Sequence, residues 1–414
     1  MDLKSGYPFW SVRNGLLNAF PPLQRDHACD VAVVGGGITG ALIAHELATH
    51  GHDVCVLEQR DVCWGSTSAS TALLQYEIDT HMTELAQRYG EADAVLAYQA
   101  CADAIPMIGR IAGKVRDVDF APMRSLYFAS KQGHAKELRE EFDLRARHGF
   151  AVEWLGHADL HARFGIDAPA AILSQQAGRV DPYRLASKLF ARMERGGAHV
   201  FDRTRVERLQ TSARGVNLTL GNDSVVRAKH VVLAGGYETQ KWIDQSVAKN
   251  RSSYACISDP IDSATLGVFR DHMVWESARP YLYFRTTGDG RLLVGGEDDS
   301  VDIPAKRDAQ VGRKSEKIAK RVRDLLPQLP MQPVFAWAGT FAETDDGLPF
   351  FGPHEQHGPR VHFAMAYGGN GITYSALGAG LLRANIERRA HPLRALFSFD
   401  RLKRRSLLAR MGLG

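Results

Sequence analysis

An excess of charge of one sign is nearly missing from this chain: across 414 residues, 51 Lys and Arg face 47 Asp and Glu, a net charge of +4. So small an excess, spread along the sequence, gives no reason to expect nucleic acid as a main partner. Cysteine is scarce as well. The five cysteines (29, 55, 63, 101 and 256) form no C-x-x-C pair and are odd in number, which predicts buried thiols in a reducing compartment. Long apolar runs are also lacking. The least charged stretch, residues 31–48, is interrupted by Gly35, Gly36, Gly37 and Gly40 and carries His45 and Glu46, so it reads as strand, turn and helix rather than a membrane span. The first thirty residues hold Lys4, Arg13, Arg25 and Asp26 among three prolines, with no apolar core for a signal peptide, and a cytoplasmic protein is expected. No repeat is visible, and the 16 His fall without metal spacing. What remains is 24% charged and 44% hydrophobic, the composition of an ordinary globular chain of two or three domains.

The first strong local pattern is a βαβ unit. Asp30-Val-Ala-Val-Val34 predicts a strand buried on both faces, Ala41 to Ala48 a helix, and Asp53-Val-Cys-Val-Leu57 a second buried strand closed by Glu58. Between strand and helix, Gly35-Gly36-Gly37-Ile38-Thr39-Gly40 matches G-x-G-x-x-G. In this context Gly35 permits the turn, Gly37 admits a pyrophosphate to the backbone, and Gly40 lets the helix pack on the strand. The helix start offers unpaired N–H groups to phosphate, and Glu58 is placed to accept from a ribose diol. A nicotinamide enzyme would continue with alternating strands and helices. This chain instead inserts Gly65-Ser-Thr-Ser-Ala-Ser-Thr71, then later a run of short strands before His230-Val-Val-Leu-Ala-Gly-Gly236. Helices are expected over most of 80–150, from Pro182 to about Arg195, over 308–326, and from near Ser375 to Arg389.

With Val180-Asp-Pro-Tyr-Arg184, Leu292-Leu-Val-Gly-Gly296, Asp346-Gly-Leu-Pro349 and Tyr367-Gly-Gly-Asn-Gly-Ile-Thr373, these segments form an ordered set over nearly the whole chain. The set resembles the D-amino-acid-oxidase-like family of FAD-dependent oxidoreductases. The resemblance implies an α/β fold (α+β overall), with a discontinuous Rossmann-like FAD-binding domain from 1–80, 151–240 and 335–414. Residues 81–150 and 241–334 would form a sheet-based substrate domain. It also implies cofactor contacts at Gly35, Gly37, Ile38, Thr39 and Gly40, at Glu58 and Gln59, and at Ser66, Thr67, Ser70 and Thr71. Val206 and Gly235 would flank the adenine half, and Gly369, Asn370, Gly371, Ile372 and Thr373 the flavin ring. No Cys follows Cys256, so the covalent link made by a late Cys in part of the family has no counterpart, and non-covalent FAD is expected.

The chemistry implied is hydride removal from the C–N bond of a small amine or amino compound, giving an imine, with oxygen or a quinone as acceptor. Two alternatives stay open: a 2-hydroxy-acid dehydrogenase on the same fold, and a flavin-binding subunit that needs a partner. The family's carboxylate-binding cations are absent where they would align; Phe341, Ala72 and Thr373 stand there. Arg285 could substitute, since alternation puts Tyr281, Tyr283 and Arg285 on one strand face; Arg285 and Tyr283 are the candidate substrate-positioning residues. Glu77 and Asp79 could attract a cationic amine or serve as helix-start carboxylates. The basic tail from Arg401 through Arg410 reads as solvated, without membrane contact.

Overall fold

The computed structural model describes residues 2–300 and 302–403. Val31, Ala32 and Val33 are fully buried, as the β-branched run requires of a central parallel strand. The strand His27–Val34 lies between Val54–Leu57 and Val225–Leu233, parallel to both. His199–Phe201 extends the sheet on one side and Val361–Met365 on the other, with Phe350–Pro353 at the edge. The hairpin Val206–Thr211 and Val216–Leu220 hangs from Val225–Leu233 and completes eight strands. Helices Ile38–Thr49 and Gly371–Ile386 pack against each other beside this sheet.

A second sheet has nine strands among the described residues. Phe335–Glu343, Lys249–Pro260, Arg291–Asp299, Leu282–Thr286, His272–Glu276, Ala121–Phe128, Ala170–Arg179 and Leu73–Gln75 follow in that order, and Val152–Gly156 adds to Ala170–Arg179. Helix Pro304–Leu325 covers one face, where Ile318, Ala319 and Val322 join Cys256 and Val294 in an apolar core. The other face turns toward the first sheet.

Sheet membership departs from the sequence grouping. Leu73–Gln75, Val152–Gly156, Ala170–Arg179 and Phe335–Glu343 were grouped with the nucleotide-binding segments, but their backbone partners are all in the second sheet. Pairing of strands far apart in sequence leaves no local mark, so the sequence does not say which sheet takes them. The tail differs too. Arg401 is buried, not solvated, and its guanidinium is bonded to Asp346 at 2.8 Å; residues 404–414 lie outside the described residues. No helix among the described residues is long and apolar enough to cross a membrane.

Candidate active site

One long cleft runs between the sheets, enclosing about 2110 Å³ with its open mouth. At one end is the glycine turn. Gly35 has φ 123°, and a Cβ on Gly40 would sit 1.9 Å from the Gly35 carbonyl oxygen, so the helix can approach the strand only through glycine. Gly37, just before helix Ile38–Thr49, has no side chain of its own to cap it, and the helix start brings partial positive charge to the cleft. Gly40 serves this packing from outside the lining. Gly35, Gly37, Ile38 and Thr39 lie on it.

The small-polar segment is held from three directions. Trp337 Nε1 donates to the Ala69 carbonyl at 2.8 Å, Trp10 Nε1 to Ser70 at 2.7 Å, and Arg285 Nε to Thr71 at 2.8 Å. Thr67 accepts from the Ile38 amide at 2.9 Å, joining the segment to the helix start. Ser66, Thr67, Ser70 and Thr71 all line the cleft. The Ser66 hydroxyl is buried without a hydrogen-bond partner, as is that of Thr239, another lining residue. Buried polar groups are ordinarily paired, so each hydroxyl is suited to a polar ligand in the cleft.

Glu58 faces the same end. Its carboxylate accepts from the amides of Gly36 at 2.6 Å and Arg60 at 2.8 Å; burial pushes its pKa up, while those amides pull against the shift. Gln59, Val206 and Gly235 complete this part of the lining. Cys63 lies here too, and burial raises its thiol well above the usual range, which keeps it from forming a nucleophilic thiolate.

At the far end is the loop before helix Gly371–Ile386. Gly369 donates to Asp79 at 2.9 Å, and Asn370 Nδ2 to the Glu77 carbonyl at 2.8 Å. Gly369, Asn370, Gly371 and Ile372 line the cleft. Thr373 does not; it is buried and bonds to the Gln75 carbonyl. Glu77 and Asp79 are not helix-start carboxylates. Glu77 is buried against Ser174 (2.6 Å) and Arg145 (3.8 Å), Asp79 lines the cleft, and Glu141 takes the first amides of the following helix.

Tyr281, Tyr283, Trp275, Phe341, Ser253 and Asp298 form the wall contributed by the second sheet. Tyr283 is therefore in the cleft, but Arg285 is not. It is fully buried, and its remaining nitrogens donate to the carbonyls of Thr286 (3.2 Å) and Val180 (3.0 Å). Alternation placed Arg285 correctly on the strand, but its length carries the guanidinium beneath the 65–71 segment, where buried carbonyls need donors. Asp298, Trp275, Ser253 and Thr239 escaped the sequence analysis. The only trace of Asp298 was the acidic run directly after Gly295 and Gly296.

Two glycine-initiated helices that start at one cleft, with a half-buried acid at the end of the second strand, define a dinucleotide-binding oxidoreductase of the two-sheet kind. The profile of the family described as FAD dependent oxidoreductase (DAO) matches residues 30–384, and the chain belongs to that family. It is 26% identical over 384 residues to the gamma-glutamylputrescine oxidoreductase of Escherichia coli (strain K12), covering 89% of this chain and 87% of the relative. It is 26% identical over 381 residues to a glycine oxidase of Geobacillus kaustophilus (strain HTA426), covering 88% and 94%. The crystal structure of glycine oxidase from Geobacillus kaustophilus superposes with a TM-score of 0.76 at 21% identity, over 90% of this chain and 98% of that one.

Proposed function

We propose that this protein oxidises the C–N bond of an amine with FAD, releasing an imine that water hydrolyses. The cleft suits FAD: the helix start at Gly37 and the Ser66 hydroxyl would hold the pyrophosphate, and Glu58 the ribose. The 369–372 loop would lie along the ring, within a cofactor domain built on the eight-stranded sheet. When bound, FAD supplies the acceptor for the hydride. The chain's own residues then orient the amine and keep water from it. Tyr281, Tyr283, Trp275 and Phe341 supply the apolar wall, and the start of helix Gly371–Ile386 would offer partial positive charge to the reducible ring.

The observation that carries the reading is the character of this wall. Among the described residues, Arg60 and Lys241 are the only Arg or Lys side chains lining the cleft, and both also border the neighbouring recess of Gln59, Arg205 and Glu238. Aromatic rings and carboxylates form the opposite end. Such a wall accepts an amine and disfavours a hydroxy acid, whose carboxylate would be desolvated without a counter-ion.

Visible spectroscopy of the purified protein, before and after acid precipitation, tests the first half of the proposal. Oxidised flavin bands are expected to move into the supernatant. A pellet that stays yellow overturns non-covalent binding. Anaerobic bleaching by amines but not by 2-hydroxy acids is expected of the bound flavin, and the reverse pattern overturns the C–N assignment. Oxygen uptake during turnover distinguishes oxygen from a quinone as acceptor.

A further inference from the structure

Strand Arg291–Asp299 does not pair evenly with its neighbour. The register slips opposite Ser252 and Tyr254, and Glu297 takes φ 57° at the slip. Bulges bend a strand and re-aim the side chains that follow. Glu297 points to the helix side, 2.7 Å from Lys317 and 3.1 Å from Arg321, while Asp298 lines the cleft. Asp298 Oδ1 is buried with no hydrogen-bond partner among the described residues. An unpaired buried carboxylate oxygen is costly, and a donor from a ligand would relieve it.

The surroundings indicate what kind of donor. The Tyr283 ring lies where a Cβ on Gly295 would be, 2.4 Å from its terminal atoms, and the Tyr281 ring is 5.7 Å from it. Aromatic faces attract cations. Asp79 adds a second carboxylate to the lining. The nearby Arg279 guanidinium is stacked on Tyr281 at 4.5 Å and does not line the cleft. We propose that Asp298, with Tyr281, Tyr283 and Asp79 around it, binds a positively charged nitrogen of the substrate, so that the site selects amines bearing a further cation over amines bearing a carboxylate. This rests on the amine-oxidation reading of the same cleft and names its substrate class.

The test uses the FAD-loaded full chain and two four-carbon probes that differ at one end, diaminobutane and aminobutanoate. Perturbation of the flavin spectrum reports binding, and anaerobic bleaching reports turnover. Diaminobutane is expected to bind at least about tenfold more tightly, a difference of about 1.4 kcal/mol. Asp298→Asn is expected to raise KM for diaminobutane at least tenfold, change kcat less than about threefold, and leave aminobutanoate no weaker. Equal binding of the two probes by the unmodified protein, or no perturbation by diaminobutane, overturns the inference even if the variant fails to fold. An unchanged preference in a folded Asp298→Asn variant also overturns it. Perturbation by diaminobutane without bleaching upholds the cation site and counts against amine oxidation instead.

Discussion

Gly295 has no Cβ, and the Tyr283 ring occupies the space one would fill, with ring atoms 2.4 to 2.6 Å from that point. Gly295→Ala must push the ring into the cleft. FAD content is expected to be unchanged, with KM for an amine raised roughly tenfold and stability lowered by about 1 kcal/mol; titration of flavin bleaching alongside thermal unfolding checks both. Asp298 carries a second residue-scale prediction. Burial pushes its carboxyl up to about 6, Glu343 and Asp79 add to the shift, and Ser253 and Arg279 oppose it. The group is therefore anionic only above about pH 6. Affinity for a cationic amine is expected to rise as pH increases through that value and then level, and Asp298→Asn is expected to flatten the profile. The sign for stability is opposite. A carboxyl with a raised folded pKa destabilises the fold at neutral pH, so Asp298→Asn should be at least as stable as the unmodified chain in urea at pH 8.

The decisive element is the 65–71 segment. Small side chains let it approach a ligand, but they give it little packing of its own, and its carbonyls are held by Trp10, Trp337 and Arg285 from separate elements. Burial lowers the Arg285 pKa to about 10, so the guanidinium stays charged near neutrality with no carboxylate bonded to it, a use for which five rigid donors suit arginine. Arg285→Met strips donors from the carbonyls of Thr71, Val180 and Thr286. The expected loss is about 3 kcal/mol or more, read by urea unfolding, together with weaker FAD retention. The ratio of diaminobutane to aminobutanoate affinity should not move. A selective loss of aminobutanoate binding would restore Arg285 as a carboxylate anchor.

For the whole molecule, much of the pH response is expected from buried charge away from the cleft. Burial pushes the Glu141 carboxyl up, but Arg145, His81 and the amides of Thr83 and Met82 outweigh it and hold it down to about 2. A depressed folded pKa contributes stability that is present above the unfolded value and lost as pH falls through the folded one. Here that window runs from about 4.5 to about 2. Glu141→Gln leaves Arg145 short of its nearest counter-charge. It is expected to cost about 3 kcal/mol at pH 7, with the gap from the unmodified protein narrowing below pH 4 in denaturant titrations. An equal gap at both pH values would dismiss the ion pair as the cause.

The sequence by itself determined the nucleotide turn, the order of family motifs and the longer helices, because each depends on neighbours within a few residues or on a fixed backbone need. The strands around Val31 and Val231 were legible as continuous apolar runs. Gly40 was legible because helix and strand can approach there only without a Cβ. Tertiary structure alone decided which sheet received Ala170–Arg179 and Phe335–Glu343, since strand pairing is chosen between distant segments. It also decided the fates of Arg285 and Asp298. Simple alternation predicted a face for Arg285 but not where its long side chain would end. A bulge, a change of register between two strands, turned Asp298 into the cleft.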